Sequence, residues 1–345
     1  MSKKETIRTA VFLLLALLLV LGACLVFARK TACRYTEKVN GFFNEPAESM
    51  DLICYGSSRM YCTMNPLALH HETGLSAYVL ATQQQPLPAT YLYMKESLKT
   101  QRPKVLLLEA TMSFYTIEAA GEGAVRDCLD PLPWSETKLE IIRTLVPEGE
   151  RASYYFPFLK YHQRWKELSA QDFDFGWIKQ RDPMRGCFAM DYPRPVKCRQ
   201  WSYYGVAEEP VPAESLELLL RMKALAAENG AQFVLLAAPY EMVDEDLGYL
   251  KSLHRFCEGE QIPFLDLNLI YDSIGLDNEQ DFIDEGHLNL CGSVKATRLI
   301  GSFLQSELGL APQGGAPDAE IEQNYLREIE PIVRRMESSQ ADAAA

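Results

Sequence analysis

Nucleophilic acyl transfer needs three kinds of side chain, and this chain carries them at widely separated points. Serines stand in Gly56-Ser57-Ser58, and Asp284 and His287 stand in the block FIDEGHLN, residues 282–289. In that chemistry a hydroxyl attacks a carbonyl, an imidazole takes its proton, and a carboxylate fixes the imidazole tautomer and steadies its positive form. Asp284 and His287 are three residues apart, a spacing that suits one short turn turning both side chains toward the same place. Taken singly, Gly-Ser-Ser after an apolar run is an ordinary turn, and a loop Asp or His is an ordinary cap or surface residue. Their place in the order of elements gives them weight.

Five short apolar runs read as strands: DLICYG (51–56), SAYVLAT (76–82), KVLLLEAT (104–111), QFVLLAAP (232–239) and IPFLDLN (262–268). Each is too short for a buried helix and closes on a polar or small residue. Helical patterns cover Pro88 to Arg102, Ala213 to Asn229, Asp244 to Glu258 and Gly292 to Leu308, with Asn229-Gly230 as a stop signal and Pro103 ending the first. This alternation predicts an α/β fold: a doubly wound, flavodoxin-like, five-stranded parallel sheet with helices on both faces. Loops at the carboxyl ends of such strands gather over one edge, where ligands bind. Gly56-Ser57-Ser58 follows the first strand and FIDEGHLN follows the fifth, so both belong on that edge.

From about 116 to 212 the alternation breaks. This insertion is rich in Pro and aromatic residues, holds all four tryptophans, Trp134, Trp165, Trp177 and Trp201, and is expected to cap one edge of the sheet. Its rings have two readings, stacking on a sugar face or packing a small second core. Residues 311–345 read as a linker, a charged surface helix and a disordered end.

At the front, Ala10 to Ala28 is a run of 19 residues without a charge, which as a helix at about 1.5 Å per residue approaches the ~30 Å of a bilayer's hydrocarbon core. The expectation is an uncleaved signal anchor, with a connector from about Arg29 to Met50. A cleaved signal peptide and a lipoprotein box ending at Cys24 are the alternatives. Each puts the remaining domain, 31–310, outside the cytoplasm. With 345 residues, 48% of them hydrophobic, the chain has ample material for a core. With 47 acidic against 34 basic residues and a net charge of -13, no nucleic-acid surface is expected. Of nine cysteines, eight lie outside the apolar run after Cys24 is set aside; disulfides are permitted, with Cys187 and Cys198 the nearest pair in the irregular region. No metal-binding spacing and no cofactor motif is present.

GSSR at the end of the first strand, with DEGHLN before the last helix, resembles the SGNH (GDSL-like) hydrolase superfamily over about Asp51 to Leu308. In that family a Gly-x-Ser pattern follows strand one and an Asp-x-x-His block precedes the final helix. The resemblance makes Ser58 the nucleophile, with Ser57 the alternative, His287 the general base and Asp284 its orienting partner. The chain departs from the family after the third strand, where LLLEATMSFY replaces the Gly-x-Asn-Asp block and no Asn donates to the oxyanion. The backbone N–H of Ser58, the Gln83-Gln84 region, and Thr111 or Ser113 are the remaining candidates. A missing donor is worth about 2.7–4 kcal/mol of transition-state stabilisation.

The chain is similar to the membrane-anchored cell-envelope branch of the superfamily, which includes the D-alanine transfer protein of teichoic acids and the alginate O-acetylation proteins. That resemblance implies acyl transfer on an envelope polysaccharide or an acylated small molecule, beside a membrane-bound O-acyltransferase. Arg59 is a candidate for a carboxylate or an anionic polymer, and His162 and Trp165 for lining the site. A catalytically silent scaffold of the same fold is the alternative function.

Overall fold

A computed structural model describes residues 2–116, 121–313 and 318–344. The chain begins with one helix, α1 (Lys3–Phe43), and β1 (Leu52–Gly56) follows. α2 (Ser58–Thr63) and α3 (Pro66–Thr73) lead to β2 (Ala77–Ala81), and α4 (Leu87–Ser97) leads to β3 (Val105–Glu109). The insertion is built from α5 (Glu122–Leu129), α6 (Glu136–Leu145), α7 (Arg151–Tyr155), α8 (Phe158–Tyr161), several 3-10 turns and a long irregular strap. The α/β alternation then resumes with α9 (Ala213–Glu228), β4 (Gln232–Ala237), α10 (Asp244–Glu260) and β5 (Phe264–Asp266). α11 (Tyr271–Ile274), a small hairpin of β6 (Phe282–Asp284) and β7 (His287–Leu288), and α12 (Leu290–Ser306) complete the domain, and α13 (Ala319–Asn324) and α14 (Glu330–Ala344) form the tail.

The five long strands make one sheet in the order β2-β1-β3-β4-β5, parallel throughout. β1, β2 and β3 are buried at every position, which is why they read as unbroken apolar runs and not as alternating ones. All five expected strands and the four expected helices are present, within a few residues at their ends. The helix that closes the fold, α12, buries Leu290, Val294, Thr297, Ile300, Gly301 and Leu304 at helical spacing. Its first turn is capped by Asn289, whose side chain accepts from the Gly292 N–H at 3.1 Å.

Two expectations are corrected, and the cysteine pairing the sequence left open is answered. The region from Arg29 is no connector: α1 runs unbroken to Phe43, and Tyr35, Val39 and Phe42 are buried in the main core. A helix satisfies its own backbone, so charged residues after an apolar run need not end it. The tail is not a surface helix: Ile321, Tyr325, Ile329 and Val333 pack with Leu67, Ala68, Leu290 and Val294 in a second apolar cluster, and helix continues to Ala344. Cys187 and Cys198 are both free, as are the other described cysteines. The Cys187 thiol donates to the Met184 carbonyl at 3.1 Å, whereas the backbone at Cys198 is bound to Asn278. Burial pushes both thiols up to about 12, and a protonated buried thiol is a poor nucleophile.

Residues 3–27 of α1 are long and apolar enough to cross a membrane, the one such helix among the described residues. Side chains from Phe12 to Leu19 include the most exposed large apolar groups among the described residues after Tyr204.

Candidate active site

β1 ends at Gly56, whose φ of +144° is a conformation that side chains rarely adopt. A Cβ there would stand 2.9 Å from the Cβ of Glu109 on the neighbouring β3. Glycine is required for both reasons, and it lets the chain turn from strand to helix within one residue. Ser57 is the N-cap of α2 and is buried, and Ser58 is its first residue. The amide of Ser58 therefore lies among the helix N–H groups that have no partner within the helix.

Asp284 and His287 arrive on the β6-β7 hairpin, which pairs them directly across a two-residue turn, Glu285-Gly286. The Asp284 carboxylate accepts from the Gly286 N–H at 2.8 Å and holds the turn closed. The hairpin is anchored at its base by Asp281, which is fully buried, accepts from Lys295 at 2.6 Å and receives the Asp277 N–H at 2.7 Å.

These elements bring Ser58, His287 and Asp284 into one chain of contacts. Ser58 Oγ is 2.8 Å from His287 Nε2, and His287 Nδ1 is 2.8 Å from Asp284 Oδ1. An ionised carboxylate can only accept, so Nδ1 carries the proton and Nε2 is left to accept from the serine hydroxyl. Of the two candidate serines, Ser58 is the one at the imidazole.

Beside the triad lies a cavity of about 330 Å³. Ser58, His287, Arg59, Gln84 and Thr111 give it a polar side, and Leu87, Pro88, Met112 and Ala124 an apolar one. Gln84 is held at a left-handed φ of 46°, a backbone conformation that for a non-glycine residue often marks a functional loop. Thr111 also faces the cavity, but its hydroxyl donates to Glu109 Oε2 at 2.9 Å and its N–H to Oε1 at 3.3 Å. Ser113 is fully buried, and its hydroxyl donates to the Ala110 carbonyl at 2.6 Å.

Arg59 does not project into solvent. Its guanidinium lies 3.7 Å from the centre of the Tyr240 ring, within electrostatic reach of the fully buried Glu109. Burial pushes the Glu109 carboxyl above its ordinary range, and the positive charge of Arg59 opposes that shift. Sequence reasoning did not find Glu109 or Tyr240. A lone Glu at the end of an apolar strand is a signal, because an unpaired buried carboxylate is costly, but its partner becomes visible only in three dimensions.

His162 and Trp165, expected near the site, are not at the cavity. His162 is exposed on the insertion, with Nδ1 3.0 Å from the Leu159 carbonyl, and Trp165 is 63% exposed. Besides Ala124 at the cavity wall, the insertion contributes a strap: Phe188 N–H donates to the Tyr61 carbonyl at 3.2 Å, Arg194 N–H to Phe282 at 2.7 Å, and Leu290 N–H to Met190 at 2.7 Å. The strap thereby ties α2, which carries the serine, to the hairpin, which carries the histidine.

Neither family models nor curated proteins give a match to this chain.

Proposed function

We propose that this chain is a membrane-anchored, extracytoplasmic serine acyltransferase or esterase of SGNH type, acting on acyl groups, O-acetyl foremost, of an envelope polysaccharide. The observation that carries the reading is the 2.8 Å and 2.8 Å relay from Ser58 through His287 to Asp284. The strand order 2-1-3-4-5 supports a doubly wound, flavodoxin-like scaffold, in which ligands sit outside the carboxyl ends of the strands. Gly56-Ser57-Ser58 follows the carboxyl end of β1, in keeping with that rule.

In the reaction, the Ser58 hydroxyl oxygen bonds to the acyl carbonyl carbon while its proton passes to His287 Nε2, and the carbonyl π electrons move to oxygen. In this reading the Ser58 N–H and Gln84, which lines the same cavity, donate to that oxyanion. Collapse expels the alkoxide, which takes the proton from His287 and leaves an acyl-serine. A sugar hydroxyl or water then repeats the steps in reverse, so transfer and hydrolysis share one site. Asp284 holds the Nδ1–H tautomer throughout. A membrane-bound O-acyltransferase would supply the acyl group in the transfer mode.

The commitment of the Thr111 hydroxyl to Glu109 and the missing Asn donor favour a second reading, a silent scaffold that binds polysaccharide or the acyltransferase. Treating the full chain in detergent with a fluorophosphonate probe separates the two. The enzyme reading expects covalent labelling lost in both Ser58→Ala and His287→Ala; equal labelling of wild type and both variants rules it out.

A further inference from the structure

The catalytic site leaves unused the most aromatic stretch of the insertion, residues 154–165, YYFPFLKYHQRW. This stretch wraps the end of the apolar part of α1. The Phe158 ring meets the Phe27 ring edge-on at 5.2 Å between centroids. Arg164, buried and paired with Asp172 at 2.6 Å, donates to the Phe27 carbonyl. The 3-10 turn at 170–173 also packs against α1. The grip extends back along the helix: Cys24 is buried, while Leu19 remains 74% exposed.

The length of the helix gives this clasp a consequence. The uncharged run is Ala10 to Ala28, and the protein packs against one side of it at Gly22 to Phe27, where Leu25 is still 49% exposed, leaving Ala10 to Leu21 bare. Twelve helical residues reach about 18 Å, against ~30 Å of hydrocarbon. If the uncharged run is the part of α1 that sits in the hydrocarbon, the clasp dips into the membrane by roughly 10 Å, about the depth at which interfacial amphipathic segments lie. Its exposed surface has the matching chemistry. Phe156, Leu159, Trp165 and Phe173 are 41–63% exposed. Lys166 holds its ammonium 5.3 Å from the Trp165 ring centre, an aromatic and cationic pairing suited to the headgroup boundary.

We infer that this clasp is a membrane-seating surface, with Phe156, Leu159, Trp165 and Phe173 inserted among the lipids around α1. It sets the height and tilt of the domain over the bilayer, which a single unbraced helix would leave free. The inference rests on α1 spanning a membrane, and the test separates the two.

Variants of the full chain that each add one cysteine, Leu159→Cys, Trp165→Cys, Leu15→Cys and Tyr204→Cys, are labelled with bimane in detergent. Each is then reconstituted into phosphatidylcholine nanodiscs with or without lipid carrying a nitroxide on its acyl chain. The unsubstituted chain, treated identically, is the blank, and only variants that melt like it are compared. Tyr204, 95% exposed, is the solvent reference. The seating surface expects bimane at 159 and 165 to be quenched at least about twofold more than at 204, as for a probe at interfacial depth. Quenching at 15 without extra quenching at 159 and 165 overturns the seating surface and leaves the span standing. No quenching at 15 removes the span and the seating surface together.

Discussion

The parallel-sheet scaffold and the insertion between β3 and α9 share one apolar core but differ in what they add to it. The scaffold is closed by apolar burial: β1 and β3 lie side by side without an exposed residue. The insertion is a series of short helices and turns that bury Val125, Leu129, Ile141, Ile142 and Val196 in the same core and also reach outward through polar contacts. Arg164 grips Phe27, Arg194 and Phe188 bind backbone carbonyls of the two loops of the site, and Arg185 binds the buried Glu45 at 3.1 Å. The scaffold thus brings the catalytic groups to one edge, and the insertion ties that edge together and joins the domain to α1. Burial is non-directional, whereas hydrogen bonds fix particular partners around that shared core.

The comparison breaks first if the scaffold site is not a relay. Asp284→Asn keeps the shape of the hairpin but allows the wrong imidazole tautomer, and turnover of an acetyl ester is expected to fall by about 10³–10⁴. A change under tenfold in steady-state kinetics would remove Asp284 from the mechanism. Next in size is Gly56→Ala, which places a methyl at 2.9 Å from Glu109 in a disfavoured backbone conformation. A loss of about 2–4 kcal/mol is expected from urea unfolding, and an unchanged midpoint would show that the β1 turn is not tight. A smaller effect is expected from the insertion side. Arg194→Pro deletes the donor to Phe282, a hydrogen bond worth about 1 kcal/mol; ester turnover should drop by less than about tenfold while the urea midpoint barely moves. A collapse of both would mean that this one hydrogen bond is needed for the strap's packing on the core.

The smallest effect concerns Glu109. Its folded carboxyl titrates above its ordinary value of 4.5, chiefly because of burial. Between the two values the folded state holds a proton that the unfolded state has lost, so this group's contribution to stability is present below 4.5 and is lost as pH rises through the folded value. Glu109→Gln is expected to make stability less dependent on pH above 4.5. An identical pH profile in thermal melts would show that Arg59 has fully compensated the burial.

Much of the scaffold was legible because strand burial is written into consecutive apolar residues, and the Gly56-Ser57-Ser58 and Asp284-x-x-His287 blocks follow strands in a known order. The tail was misread even though Ile321, Tyr325, Ile329 and Val333 recur every fourth residue. On a regular helix that stripe drifts by about 40° per step, which weakens the apparent face. In the structure a π turn at Tyr325–Ile329 lies within it, a local widening of the helix. The clasp and the strap were not legible at all. Their contacts run from side chains and irregular backbone to partners far away in the chain, and such pairs leave no periodicity.

The sequence by itself determined the order of strands and helices, the apolar run at the front and the side-chain types available for acyl chemistry, because propensity and burial act over short windows. Only the tertiary structure decided that Ser58 and not Ser57 meets His287, that Asp284 and His287 are cross-strand partners, that Arg59 turns inward to Tyr240 and Glu109, and that the aromatic stretch at 154–165 clasps α1 and not the site. Those outcomes depend on distances between residues far apart in the chain, and distances are fixed by how the whole set of elements packs.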